Sequence, residues 1–340
     1  MHTRNKIWIA AVLVCAALGA TGAYLVLSPP AAPSVAARTP ATATPPDPTL
    51  AACRPGESLI TDPTRDESVL AALYGKDNLV SAMDGTRGVE HGAQGSPAFD
   101  TVPEGDEDWS DSFQTVAGRQ KITLHGVAHW LLALESAQLA TDAEAGKLPP
   151  HTVRLAMSHV ASRETALLVL SPCQAGDKAL WQPLGRLQAM GQFGSMGSGA
   201  GVAFILLGAE HPGVLLSGGG TWQGATVSNS TLFGWDGQRF ASVLSFEDSY
   251  TEDGTGACGD DADASNNEAA DRKPACRIVE NNLDLKPKAA GTPPAATWSP
   301  LVIHSRFVDA KGAEHKQDFT LTYRKGKYQP VKGALPEVEM

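Results

Sequence analysis

The run DGTGACGDDADASNNEAADRKPAC, from Asp253 to Cys276, sets acids and amides at short intervals between two cysteines. Regularly spaced oxygen ligands are what Ca2+ requires, and a loop beginning at Asp261 offers them at positions 1, 3 and 5 through Asp261, Asp263 and Ser265. Asn266 at position 6 is tolerable, because asparagine accepts left-handed backbone angles. Position 12 needs a bidentate glutamate and holds Arg272, and no helical pattern flanks the loop. Loose cation association at Asp261, Asp263 and Ser265 is the most that these residues support.

Three further stretches have suggestive spacing. HGVAHWLLALE places His125 and His129 four apart, but a zinc-protease helix needs glutamate where Gly126 stands. GQFGSMGSGAG lacks the glycines that a nucleophile elbow needs around Ser195 or Ser198, and it has no lysine for a phosphate loop. A flexible turn feeding a buried strand is expected there. GGGTWQGATVSNS puts Trp222 and Gln223 beside three glycines and several hydroxyls. An exposed aromatic with amide and hydroxyl neighbours suits stacking on a sugar ring or a peptide plane, so Trp222 and Gln223 are the binding candidates.

Acid–base catalysis needs two carboxylates across a cleft with their proton affinities pushed apart. The acids in PEGDEDWSD lie in a solvated run with no apolar neighbours to do this. No catalytic residue, cofactor or bound metal is expected from the sequence. Residues 1–50 hold three bases and one acid, leaving the remainder with 24 bases and 36 acids, a net of −12. Nucleic acid needs a basic face and is excluded as a partner.

The elements that must position these groups begin with residues 7–28, IWIAAVLVCAALGATGAYLVLS, 22 residues without a charge. A helix of that length would span about 33 Å, enough for a hydrocarbon core of about 30 Å. Arg4 and Lys6 place residues 1–6 in the cytoplasm, which makes 7–28 a transmembrane anchor in the inner membrane, or an uncleaved signal. Residues 29–50 are a Pro/Ala-rich linker, and 51–335 form a periplasmic body interrupted by a disordered acidic loop at 252–274. Cys53, Cys173, Cys258 and Cys276 suit two disulfides in that oxidising compartment. Of the three possible connectivities, the simplest joins Cys258 to Cys276 and Cys53 to Cys173.

Within the body, TDPTRDESVLAALYG predicts a helix capped by Thr64 and Glu67 and stopped at Gly75. The chain from Met83 to Asp111 is expected to be a loop, and WLLALESAQLATDAEAGK a second, amphipathic helix. After His151 the pattern becomes strands, with hairpin turns at Asp236-Gly237, Lys311-Gly312 and Lys325-Gly326. LFGWDGQRFASV and LTYRKGKYQPV share aromatics on both sides of a glycine turn. The fold class expected is α+β: a mainly antiparallel body with a few helices in its N-terminal third.

An apolar strand followed by Cys173, a lone Trp181, FGSMGSG, the GGG…QG segment and the Asp-Gly hairpin lie between Thr165 and Phe246. This quarter of the chain resembles a class of exported or membrane-anchored bacterial proteins with no assigned activity. The resemblance implies an exported β-rich domain and transfers no functional residue. The function expected is a non-catalytic binding module of the cell envelope that contacts an envelope protein or a glycan. The alternatives are a periplasmic hydrolase whose site assembles only in three dimensions, and an acidic cation-binding module.

Overall fold

The computed structural model describes residues 50–91, 112–140, 147–158, 161–252, 277–284, 297–308 and 312–336. The chain divides into two units, residues 1–47 and 48–340, and the described residues belong to the second. The expected anchor at 7–28 and all but the last residue of the linker expected at 29–50 lie outside them, as do Cys258, Cys276, Asp261, Asp263 and Ser265. Among the described residues no helix is long and apolar enough to cross a membrane.

Two eight-stranded sheets make up the body. The first contains β1 (Leu79–Ala82), β2 (Arg87–His91), β3 (Ser112–Leu124), β4 (Val127–Gln138), β5 (Thr152–Val153), β6 (Arg163–Ala175), β7 (Lys178–Pro183) and β8 (Gln188–Phe193). Its order is β5-β1-β2-β3-β4-β6, with β7 and β8 each pairing part of β6, and only β1–β5 is parallel. The second comprises β9 (Gly201–Leu206), β10 (Pro212–Trp222), β11 (Ala225–Trp235), β12 (Phe240–Thr251), β13 (Ile278–Leu283), β14 (Leu301–Val308), β15 (Glu314–Arg324) and β16 (Lys327–Pro330). These strands follow one another in chain order, a meander made by hairpins.

One apolar layer joins the sheets: Leu131, Ala133, Leu167 and Val169 of the first meet Val214, Leu216, Phe233 and Trp235 of the second. On the other face of the first sheet, Leu132, Leu134, Leu168 and Leu170 pack against Val69, Leu70 and Leu73 of the helix α1 (Asp66–Tyr74). On the other face of the second, Leu215, Leu232, Ile303, Phe319 and Leu321 form a further core. The expected aromatic pairs stand across their turns, with ring centroids 5.0 Å apart for Trp235 and Phe240 and 5.4 Å for Tyr323 and Tyr328.

Several expectations are corrected. The segment from Trp130 is not a helix but most of β4. Its leucines and alanines favour helix intrinsically, yet a strand covered on both faces also reads as a continuous apolar run. Burial on both faces decides: Leu131 and Ala133 enter one core, Leu132 and Leu134 the other. The described residues therefore contain one α-helix where a few were expected. Nor does the capping box form. Arg65 is the N-cap without a side-chain bond, Thr64 donates instead to Asp62, and Glu67 turns to Arg87 at 3.1 Å. Gly75 does end the helix, at φ 92. The expected loop after Met83 includes the strand β2 before leaving the described residues.

A disulfide joins Cys53 to Cys173, 120 residues apart and with Cα atoms separated by 4.9 Å. It lies beside an isolated bridge from Ala52 to Gln174, and a second bridge pairs Ile60 with Trp181 of β7. The segment entering the body is thus bound to the β6–β7 hairpin before α1 begins.

Candidate functional site

The β10–β11 hairpin ends in Trp222, Gln223, Gly224 and Ala225, with Trp222 opposite Ala225. Gln223 at φ 50 and Gly224 at φ 86 both take left-handed angles, as a two-residue hairpin turn that follows the strand twist requires. Gln223 is therefore first a turn residue, with its side chain exposed. A Cβ on Gly220 would lie 2.6 Å from the Trp222 ring, so glycine there lets the indole fold back over its own strand. Trp222 remains 57% exposed. Hydroxyl pairs cross the hairpin on the face opposite the indole, Thr221 with Thr226 at 2.9 Å and Ser217 with Ser230 at 2.6 Å. Ser228 donates to Asp248 at 2.9 Å. Trp222 is thus an exposed aromatic beside a two-residue turn.

The edge beside this platform is open. β9 pairs with β10 from Pro212 to Ser217 and no further, so Gly218 to Trp222 overhang it by five residues. A Cβ on Gly218 would stand 2.6 Å from the backbone nitrogen of Gly194, which fixes the overhang against the end of β8.

Two buried carboxylates, Glu135 and Glu164, escaped sequence reading. Only the tertiary packing reveals their burial. Glu135 accepts a hydrogen bond from the Ala200 N–H at 2.8 Å and pairs with Arg163 at 3.2 Å. Arg163 also donates to the Gly197 carbonyl at 2.8 Å. Burial pushes the Glu135 carboxyl above the ordinary range, against the pull of Arg163 and the Ala200 amide. Glu164 is also raised by burial, and its Oε1 has no hydrogen-bond partner among the described residues. Directly opposed residues of β4 and β6 share a face, so Glu135 lies with Thr165 and Ser136 with Glu164. Consecutive residues of a strand point to opposite faces. The two acids therefore stand back to back across the sheet and cannot act on one bond.

The histidines do not converge. His125 occupies the β3–β4 turn at φ 50 with its side chain 84% exposed, 2.6 Å from Glu210. His129 is buried, its Nδ1 2.9 Å from the Val127 carbonyl, and burial pushes its pKa down. Among the described residues no group of His, Cys, Asp or Glu could hold a metal ion. The glycine-rich stretch from Gly191 ends β8 and, from Gly194, connects it to β9, and the Ser198 hydroxyl is spent within it, donating to the Ser195 carbonyl at 2.5 Å.

A shallow depression on the solvent face of β13–β15 is lined by Glu280, Asn282, His304, Arg306, Lys316 and Asp318. Its side chains are paired with one another: Arg306 with Glu280 and Glu314, and His304 with Asp318. That leaves no directed group for chemistry. In comparisons with known proteins, no family model, curated protein or solved structure matches the chain.

Proposed function

We propose that the body is a non-catalytic binding module of the cell envelope and that the tip of the β10–β11 hairpin is its contact surface. One observation carries this: Trp222, 57% exposed, is held over Gly220 by a two-residue turn instead of covering a core. A large aromatic side chain with few rotatable bonds gives contact area at low cost in side-chain freedom. An envelope protein or a glycan fits such a platform, and nucleic acid does not fit a body with twelve more acids than bases.

The proposed setting is the periplasmic side of the inner membrane, with residues 7–28 as a single-pass anchor and the N-terminus in the cytoplasm. The uncharged run there and the Cys53–Cys173 disulfide, which suits an oxidising compartment, support it. A hydrolase gains no support from acids placed back to back.

The test is a photoreactive residue at position 222 of the full chain in its own cells, with one at His304 as control. Adducts are expected at 222 and not at 304. Equal or absent labelling at 222 would refute a contact surface there.

A further inference from the structure

The overhang of β10 has a property that the exposed indole alone does not explain. In a two-residue hairpin the residues flanking the turn exchange both backbone hydrogen bonds, and the pattern then alternates along the ladder. Trp222, Gly220 and Gly218 thus turn their N–H and C=O groups toward β11, while Thr221, Gly219 and Ser217 turn theirs outward. Ser217 meets Gly201 of β9. Gly219 and Thr221 have nothing opposite them among the described residues. Four backbone groups are left in a row, symmetric about Gly220.

Proteins guard such edges with charges, prolines, bulges or very short strands. Four of the other edge strands have guards. β5 is two residues long and follows Pro149-Pro150, and β7 carries Lys178 and Pro183 and is bridged by Ile60. β8 has a register shift beside Gly191 at φ 118, and β16 carries Lys327 and Pro330. Gly218 to Trp222 contains no charge, no proline and no bulge.

Resting on the contact surface proposed above, we infer that its occupant is the same overhang of a second copy of this chain, paired antiparallel about a twofold axis through Gly220. The slot beside β10 is five residues long, and so is the overhang that would fill it. In this register Gly219 faces Thr221 of the second copy and each such pair exchanges two hydrogen bonds, so all four outward groups of each chain are used. Gly220 faces its own counterpart, where the outward ladder needs no bond. Trp222 faces Gly218 of the second copy, beside the end of β8 at Phe193 and Gly194, and an aromatic across from an edge glycine is a stabilising strand pair. The segment is neutral on an acidic body, which confines repulsion between copies to charges away from the seam and makes association stronger as salt screens them.

Sedimentation of the full chain in nonionic detergent tests this. A concentration-dependent dimer is expected, tightening with added salt. Thr221→Pro removes an outward N–H that the fold itself does not use, and should weaken the dimer about tenfold or more while leaving the melting temperature nearly unchanged. Thr221→Glu, which sets a carboxylate at the seam of each copy without altering the backbone, should do the same. A monomer at every concentration, or a dimer that neither variant weakens, overturns the inference. The photoreactive chain separates the two proposals. Self-linked dimers at 222 support both, adducts only to another molecule leave the contact surface standing without the twofold pairing, and no adduct removes both.

Discussion

Glu135 and Gly199 compete for one space: a Cβ on Gly199 would lie 2.1 Å from the Glu135 Oε1. The carboxylate reaches from the first sheet into the chain that crosses to the second, and it holds that crossing through the Ala200 amide. Arg163 holds the same crossing through the Gly197 carbonyl.

Gly199→Ala should therefore cost about 2–3 kcal/mol, the usual penalty for forcing an extra carbon into a filled site. Urea unfolding measures it. A midpoint equal to wild type would show that the crossing moves aside freely.

Arg163→Met should be worse at neutral pH, by about 3–5 kcal/mol, because it strands a buried carboxylate. The loss should shrink in acid, where Glu135 takes up a proton. A penalty independent of pH would mean that the arginine acts only through Gly197.

Glu164→Gln should raise the melting temperature at neutral pH. The folded carboxyl binds its proton more tightly than the unfolded one, so its contribution to stability is fully present below the unfolded value and disappears as pH rises through the raised folded value. The variant's advantage should vanish below about pH 4, near the unfolded carboxylate range. A gain of about 2–4 °C per kcal/mol is the scale for a domain of this size. Differential scanning calorimetry at both pH values decides, and a lower melting temperature at neutral pH would sink the idea.

Replacing Cys53 and Cys173 together by serine should destabilise the body by about 2–5 kcal/mol, since the bond closes a long loop in the unfolded chain. An unchanged denaturation midpoint would show that the backbone bridges at Ala52 and Ile60 suffice.

What could be read in advance was local. The β11–β12 hairpin was legible because Asp236-Gly237 needs a left-handed glycine, found at φ 105, between alternating strands. Trp222 was legible for a similar reason, with its turn and its glycines adjacent in the chain. β4 was not, because its leucines and alanines obey helix propensity until two layers cover them. Glu135, Arg163 and Gly199 were invisible as a unit: they come from three separate segments, and nothing in their own neighbourhoods marks them as partners.

The disulfide also determines how the body would bear load. Tension arriving along the N-terminal segment reaches Cys53 and passes covalently into β6, which is paired on both sides within the first sheet. Ile60, α1 and their contacts lie beyond that link and are shielded from the pull. With the bond oxidised, extraction along this path would pull on a whole sheet; with it reduced, the pull would first meet the backbone bridges at Ala52 and Ile60 and then α1.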